Sequence, residues 1–533
     1  MYRRDRGRHM YILGQTGTGK SGALELLTLS DIYYNQGFAV IDPHGDYAQN
    51  VLKFIPQRRI DDVVYFNPAD TAYPIGFNPL EVTDPALKGH ISSELVGVLK
   101  RLFSESWGPR LEYILRYTLL ALLDYPNSTM LDITRMLTEK KFRQDVVNYI
   151  DDPVVKGFWV NEFASWNDKF ATEAVAPVLN KVGAFTANPM VRNIIGQPKS
   201  TFNIRKIMDE GKILIVNLSR GLMGEDNAGI LGAMMVTKIQ LAAMGRADMP
   251  EKERRPFYLY VDEFQNFATD SFAVILSEAR KYALNLTVAN QYISQMSQPV
   301  RDAVFGNVGT IMSFRVSPDD APFLTKYFEP QFESGDLIQQ HNRYFMITMS
   351  IDGEKAAPFS AKTLNLPTPP ADPTSQIIEL SRQRYSKERS QVEARVMEAA
   401  GLLIAAPRRA EDKPQQLNRP QAQAQLNKVN EISNNSVTAK HPDSQPPKPL
   451  KPVPIENIGK VASSLLRNAT GGQIAPQDAP QHAQTGETRS KKRRRRRKNS
   501  VSNNASQIAA QQSGRVNNSP RVSDSEETVI KLR

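Results

Sequence analysis

Residues 14–21 read GQTGTGKS, which is a complete phosphate-binding loop of the form G-x-x-x-x-G-K-S. Glycines in such a loop let the backbone curl until several N–H groups face one point at the start of a helix, where an anion is favoured. We expect Lys20 to reach the terminal phosphates of a nucleoside triphosphate and Ser21 to hold Mg²⁺. The predicted nucleotide-binding residues are Gly14, Gln15, Thr16, Gly17, Thr18, Gly19, Lys20 and Ser21.

The residues around the loop predict the class of fold. Residues 9–13 (HMYIL) have the pattern of a short buried strand, and residues 21–34 have that of a helix. Strand-like and helix-like runs alternate as far as residue 83, and the alternation returns between residues 212 and 364. This pattern predicts an α/β fold with a mainly parallel sheet. A plain glycine-rich turn is the alternative for the loop, but it does not explain the order of strand, loop and helix.

The composition excludes several classes of protein. The chain has 533 residues, 40% of them hydrophobic, and no cysteine, so disulfide scaffolds and thiolate metal sites are excluded. No uninterrupted apolar run approaches the roughly 18–20 residues of a membrane helix, and the basic first ten residues lack the apolar stretch of a signal peptide. We therefore expect a cytoplasmic protein that associates with a membrane only through partners or through a missing N-terminal segment.

The net excess of positive charge lies at the C-terminal end of the chain. Residues 371–533 carry 28 Lys and Arg against 15 Asp and Glu, whereas residues 1–370 carry 39 against 41. Residues 491–498 read KKRRRRRK, a run that attracts phosphates by charge but offers no aromatic side chain for stacking. Two interpretations stay open for this run: a solubilising charge run, or non-specific binding to nucleic acid or another polyanion.

We divide the chain into four segments. Residues 1–84 are predicted to form the first part of the α/β domain and residues 211–365 its second part, with 343–351 as an edge strand. Residues 85–210 show apolar residues at helical spacing, which predicts an inserted all-α domain or, as the alternative, a helix-rich part of one continuous core. Residues 366–533, rich in Pro, Gln, Asn, Ser and Ala, are predicted to be largely disordered, with one helix over 376–405 and a weaker one over 455–468.

A second motif supplies carboxylates for the nucleotide site. Residues 257–263 read FYLYVDE, an apolar strand that ends in two acids. In P-loop ATPases an acid at the end of such a strand assists Mg²⁺, which here is Asp262. A carboxylate in the next position, Glu263, can orient and deprotonate the attacking water. The alternative is a strand that reaches solvent at an acidic turn.

Further candidates follow other predicted strands. Gln291 could detect the γ-phosphate, or Asn290 and Gln291 could cap a strand. Arg280 could insert into a neighbouring subunit's site and stabilise the charge on the transferring phosphoryl group, or it could be a surface cation at a helix end. Arg315 is the second arginine considered for this role. In residues 42–46 (DPHGD), Asp42 could support the loop or the water, although a buried turn is favoured, and His44 lacks a partner at metal-ligand spacing.

These motifs together resemble the HerA–FtsK superfamily of ATPases. The resemblance covers residues 9–364 and is carried by GQTGTGKS at 14–21, DPHGD at 42–46, NPL at 78–80, YVDEFQNF at 260–267, SEARKYALN at 277–285 and Asn-Gln at 290–291. Within the superfamily, the chain is most similar to the TraD/TraG-type coupling proteins of type IV secretion, the conjugative DNA-translocating ATPases. The resemblance implies a RecA-like domain that uses ATP and Mg²⁺, forms a hexameric ring on DNA and meets secretion or relaxosome proteins.

The resemblance also implies roles for single residues. Lys20 and Ser21 match the phosphate-binding and Mg²⁺-binding positions of the family, and Asp262 and Glu263 match its Mg²⁺ carboxylate and catalytic glutamate. Gln291 matches the sensor amide. Arg280 lies where the family places an arginine finger that acts on the neighbouring subunit.

The chain departs from the family pattern at its start. Many coupling proteins begin with a membrane segment, and HerA-type motors begin with a β-barrel, whereas only thirteen residues precede Gly14 here. We expect either a soluble member of the family or a start that lies inside a longer gene. Three functions remain in view: a DNA translocase of secretion or conjugation, a secretion-machine assembly or export ATPase that does not act on DNA, and a HerA-like DNA-processing helicase.

Overall fold

The computed structural model describes residues 3–270 and 272–401, and the described residues form one ten-stranded sheet surrounded by helices. The strands are β1 (Met10–Leu13), β2 (Gly37–Asp42), β3 (Val63–Phe66), β4 (Ile213–Asn217), β5 (Phe257–Val261), β6 (Leu284–Asn290), β7 (Thr310–Ser313), β8 (Tyr344–Ile351), β9 (Glu354–Lys355) and β10 (Phe359–Lys362).

The strand order is β10-β8-β7-β1-β6-β5-β2-β4-β3, with β9 paired to β8. All pairs from β7 to β3 along this order are parallel, whereas β8 pairs with β7, β9 and β10 in the antiparallel sense. The predicted α/β fold with a mainly parallel sheet is therefore confirmed. The prediction that residues 343–351 form an edge strand is wrong, because β10 covers the outer side of β8.

The helices fall into three groups along the chain. The first are α1 (Arg3–Arg6), α2 (Lys20–Tyr33) and α3 (Asp46–Leu52). Between β3 and β4 lie α4 (Lys88–Leu102), α5 (Pro109–Asp124), α6 (Asp132–Thr138), α7 (Lys140–Tyr149), α8 (Pro153–Gly157), α9 (Asp168–Thr186), α10 (Pro189–Ile195) and α11 (Ile204–Glu210). The remaining helices are α12 (Arg220–Met223), α13 (Glu225–Met244), α14 (Phe272–Glu278), α15 (Gln298–Asn307), α16 (Ala321–Phe328), α17 (Ser334–Ile338), α18 (Thr374–Tyr385) and α19 (Arg389–Ala399).

Local signals explain where the helices of residues 88–210 begin. Proline occupies the first turn of α5, α8 and α10, where its missing N–H costs nothing. The side chains of Asp152, Asn167 and Asn188 accept hydrogen bonds from the amides that open α8, α9 and α10. Pro109, Pro153 and Pro189 therefore mark helix starts.

The helical region shares its core with the sheet. Alternate residues of β1 enter two clusters on opposite faces, Tyr11 and Leu13 in one and Met10 and Ile12 in the other. The first cluster continues without a break into the buried residues of α4 to α11 and of α13. The region is helical as expected, and its buried residues are continuous with the core on one face of the sheet.

Helix α13 is apolar on nearly all sides because protein surrounds it. The stretch Glu225–Asp248 is long and apolar enough to cross a membrane by length and composition, but 78% of its apolar window is buried inside the fold. The helix packs against α4 and α11 within the larger cluster. Its composition is that of a core helix.

The C-terminal helices differ from the predicted single helix over residues 376–405. The helix is interrupted between α18 and α19, because Ser386 is extended and forms a β-bridge with Ile75. The amide of Arg389 then donates to the carbonyl of Ala72. Helix α18 packs on β3, and α19 contributes Val392 and Val396 to a small cluster beside α6 and α10. The predicted helix over 455–468 and the basic run 491–498 lie outside the described residues.

Candidate nucleotide site

The phosphate-binding loop leaves the centre of the sheet. Strand β1 lies between β6 and β7, and the loop begins where β1 ends. The amide of Gly14 donates to the carbonyl of Asn290 at 3.3 Å, and the amide of Gln15 donates to the carbonyl of Arg315 at 2.9 Å. Both neighbouring strands therefore hold the start of the loop, at the carboxyl edge of the sheet where ligands bind in such folds.

Glycine is required at two loop positions for steric reasons. A Cβ atom on Gly14 would lie 2.6 Å from the Cβ of Phe314, closer than real contacts allow. Gly19 has φ of 119°, in the region that favours glycine, and its Cβ would lie 3.3 Å from the Cα of Arg343. The loop is thus pressed against the residues that follow β7 and precede β8.

The loop presents donors to a central point. Within the described residues, the amides of Thr16, Gly17 and Gly19 have no protein acceptor, while the Thr18 hydroxyl closes the turn by donating to the Gln15 carbonyl at 2.7 Å. Helix α2 begins immediately afterwards at Lys20. Free amides at a helix start form a site for an anion, so this geometry fits a phosphate chain.

Lys20 and Ser21 have contrasting environments. Lys20 is only 6% exposed, and its ammonium donates to the carbonyls of Gly14 at 2.6 Å and Gln15 at 3.3 Å. Burial lowers its pKa, and the carboxylates of Glu263 and Asp262 oppose that shift. Ser21 is exposed at the mouth of the loop. An anion between these residues would compensate the buried ammonium.

Asp262 follows β5, which is separated from β1 by β6. Its amide donates to the carbonyl of Ile41, and its Oδ1 accepts the amide of Glu263 at 3.0 Å. Burial raises the pKa of Asp262 to about 7, and the negative charges of Glu263 and Asp42 add to the shift. The charges of Glu263 and Asp42 thus oppose the ionisation of Asp262, whereas the charge of Lys20 favours it, and a cation bound beside Asp262 would favour it further.

Glu263 is held by amides on both sides. Its backbone has φ of 46°, and its side chain is only 6% exposed. Gln291 donates through Nε2 to Oε1 at 2.8 Å, and Gln265 donates through Nε2 to Oε2 at 2.7 Å. Gln291, one of the predicted site residues, therefore contacts the predicted catalytic carboxylate.

Gln265 is a member of the site that sequence reasoning missed. The turn Phe264–Asn266 brings it back towards Glu263, and its Oε1 accepts a hydrogen bond from Nδ2 of Asn290 at 3.0 Å. Gln265 stands in the DEFQNF stretch shortly after the two carboxylates, which is the one signal that the sequence offers for its role. Arg343 was also missed: its amide donates to the Thr18 carbonyl at 2.7 Å, so β8 begins against the loop.

Asp42 and His44 form a structural turn. The carboxylate of Asp42 accepts the amides of His44 at 2.8 Å and Ala48 at 2.9 Å, which ties the end of β2 to the start of α3. His44 itself is exposed. No cluster of three or more His, Asp or Glu residues suited to a metal occurs in the described part of the chain. The favoured interpretation, a buried and hydrogen-bonded turn for both residues, holds for Asp42 and is wrong for His44, whose side chain lies at the surface.

The two candidate arginines lie at opposite ends of the parallel strands: Arg280 precedes β6, and Arg315 follows β7. Arg280 is exposed in the turn that precedes β6, and its charge contributes to lowering the pKa of His9, which precedes β1. Strand β6 has seven residues, so about 20 Å separates this edge from the phosphate loop. Arg280 cannot reach the loop of its own chain, whereas Arg315 contacts it through its backbone.

Comparisons with known proteins agree with this architecture. Residues 4–235 match the family model described as the central domain of helicase HerA. No curated protein sequence matches the chain significantly.

Two solved structures share the fold. The bacterial conjugative coupling protein TrwBΔN70, in an unbound form, has a TM-score of 0.51 at 17% identity over 69% of this chain and 87% of its own. The plasmid coupling protein TrwB in complex with ADP and Mg²⁺ has a TM-score of 0.50 at 15% identity, over 69% of this chain and 89% of its own. Residues 4–235 are therefore similar to the central domain of helicase HerA, and the two solved structures show that the chain shares the fold of these coupling proteins.

Proposed function

We propose that this chain hydrolyses ATP and uses the energy to translocate DNA in a type IV secretion or conjugation system. The observation that carries the proposal is Glu263, a buried carboxylate held by two side-chain amides at the edge of the sheet where the phosphate loop lies. The complex of TrwB with ADP and Mg²⁺ supports the choice of nucleotide and metal.

Different residues of the site would bind the phosphates and the Mg²⁺ ion. The amides of Thr16, Gly17 and Gly19 and the ammonium of Lys20 would bind the phosphates. Ser21 and Asp262 would hold Mg²⁺, which neutralises phosphate charge when bound. Ser21 is exposed, and the second oxygen of Asp262 has no donor among the described residues, so both groups have capacity for a ligand.

Glu263 would act as the base for the attacking water. Gln265 and Gln291 fix both of its oxygens, so its orientation does not depend on solvent. A general base contributes about 10²- to 10⁴-fold to a reaction rate when it is correctly placed. Gln291 also follows β6, between the loop and the carboxylates, so it can respond to the state of the γ-phosphate.

The position of Arg280 supports an oligomer. Because it lies about 20 Å from its own loop, it can stabilise phosphoryl transfer only in a neighbouring subunit. We therefore propose a closed ring, a hexamer as in the resembled family, in which each site is completed by the next chain.

The first test is ATP hydrolysis by the purified protein with and without DNA. Lys20→Ala should abolish nucleotide binding or turnover, and Glu263→Gln should bind ATP but lose at least about 100-fold in kcat. Lys252→Ala and Glu253→Gln, on the exposed turn Glu251–Glu253, are matched controls that should retain wild-type rates. Equal hydrolysis with and without DNA at all protein concentrations would contradict the DNA-motor proposal.

A specific observation favours a second candidate, an assembly or export ATPase that does not act on DNA. Residues 1–370 carry 39 basic and 41 acidic residues, so this part has no general attraction for nucleic acid. A DNA-binding titration against salt, on a chain truncated after Gly401, separates the two. Steep loss of affinity with salt supports phosphate contacts by the folded part, and no binding supports the second candidate.

A further inference from the structure

The turn after Glu263 connects the carboxylate to the helical region. Gln265 makes three hydrogen bonds: its Nε2 donates to Glu263, its Oε1 accepts from Asn290, and its carbonyl accepts from Nη2 of Arg101. Arg101 lies in the last turn of α4, the first helix of the region between β3 and β4. A single glutamine therefore contacts the predicted base, strand β6 and a helix from another part of the fold.

Packing fixes the backbone of this turn. Phe264 and Phe267, on either side of Gln265, are fully buried. The ring of Phe267 packs against Gly232 of α13, where a Cβ atom would lie 2.2 Å from the ring. Helix α13 in turn packs along α4. A shift of α4 would therefore be transmitted to the turn through packing as well as through Arg101.

Arg101 occupies a costly position for a cation. Burial lowers its pKa to about 10, and its Nη1 is buried without a hydrogen-bond partner in the described part of the chain. The residue is half-buried, the charge of Asp270 opposes the shift of its pKa, and its Nη2 donates to a main-chain carbonyl. The hydrogen bond from Nη2 to the Gln265 carbonyl partly offsets the desolvation of the guanidinium.

We propose that Gln265 is a positioning residue for Glu263, and that Arg101 makes this positioning depend on the placement of α4. The amide of Gln265 orients one carboxylate oxygen towards the water, and the Arg101 contact holds the backbone from which that amide projects. The inference rests on the proposed ATP hydrolysis, because it assigns a role within that reaction.

The test compares side chains of similar size in the full chain. Gln265→Met keeps the volume and removes both side-chain hydrogen bonds, and it should lower kcat by about 10- to 100-fold while the Kd for ATP changes less than about twofold. A residue that only fills space would tolerate methionine, so wild-type kcat in Gln265→Met would overturn the proposal. Wild-type protein without ATPase activity would overturn the proposed function instead.

The Arg101 arm tests the connection. Arg101→Met should lower kcat several-fold, and Arg101→Lys, which keeps a donor, should restore most of it. In the Gln265→Met background, Arg101→Met should have little further effect, because both variants interrupt the same link. Additive losses in this cycle would overturn the role of Arg101. Arg110→Met, at an exposed position on α5, is the control and should leave kcat unchanged.

Discussion

Glu263 combines a strained backbone with a carboxylate that accepts a hydrogen bond at each of its two oxygens. A left-handed conformation costs a residue with a Cβ roughly 1–2 kcal/mol, so it persists only where the surroundings impose it. Here the conformation directs the chain into the turn that brings Gln265 back to the carboxylate. The strain is therefore part of how the base is positioned.

His9 is a second residue with positive φ, directly before β1, and it makes the fold sensitive to acid. The residue is 3% exposed, and its Nδ1 accepts a hydrogen bond from the amide of Leu286 at 3.1 Å. Burial lowers its pKa to about 4 from an ordinary 6.5, against a backbone hydrogen bond with Leu276, and the charge of Arg280 lowers it further. The folded state therefore binds this proton less readily than the unfolded state.

The sign of the effect follows directly. Stability is lost as pH falls from about 6.5 to 4, because the unfolded chain takes up the proton first, and the loss reaches about 3 kcal/mol for a shift of this size. His9→Asn keeps an acceptor and tolerates positive φ, so it should flatten this part of the stability curve. Denaturant unfolding at pH 4.5 and 7 measures the free energy of unfolding of both proteins. If the variant loses as much stability between these pH values as the wild type does, the assignment to His9 is contradicted.

At the scale of elements, α18 and α19 brace two regions of the fold. Helix α18 lies against β3, where the Ser381 hydroxyl accepts the Tyr65 amide at 3.1 Å. Helix α19 packs Val396 near Gly196, at the end of α10 in the helical region. The segment after the sheet therefore connects the edge of the sheet to the helices inserted between β3 and β4.

Loss of these contacts should destabilise the protein. Val392 and Val396 are buried at 2% and 1% exposure, so Val392→Ala and Val396→Ala should each lower the free energy of unfolding by about 1–3 kcal/mol. Val274→Ala, at a position 52% exposed, should change it by less than about 0.5 kcal/mol. Equal effects at all three positions in denaturant unfolding would show that α19 does not brace the fold.

At the scale of the whole molecule, the opposite placement of Arg280 and the phosphate loop has a consequence for assembly. Arg280→Ala should retain ATP binding and lose hydrolysis by at least about tenfold, if it acts on a neighbouring subunit. Arg315, which contacts its own loop through the backbone, would act within one chain.

Mixing two inactive variants distinguishes these cases. Arg280→Ala chains keep intact loops, and Lys20→Ala chains keep an intact Arg280, so mixed rings contain some complete sites and should recover part of the activity. Arg315→Ala mixed with Lys20→Ala should recover none. Absence of recovery with Arg280→Ala, when each variant still assembles, would rule out its role in the neighbouring site.

The sequence by itself predicts the features that depend on short runs of residues, namely the phosphate-binding loop and the two acids. Glycines, Lys20 and Ser21 at fixed spacing specify the loop, and an apolar strand ending in Asp262 and Glu263 specifies the acids, because a motif of consecutive residues folds largely as a unit. The mainly parallel sheet followed from alternating strand and helix patterns.

Only the tertiary structure decided which distant residues meet. It inserted β6 between β1 and β5, joined Gln265 to Glu263 and Arg101, and merged the helical region with the core of the sheet. It also divided the predicted helix over 376–405, because Ser386 pairs with Ile75 more than 300 positions away in the sequence. Such contacts depend on the packing of the whole chain, and no window of neighbouring residues contains them.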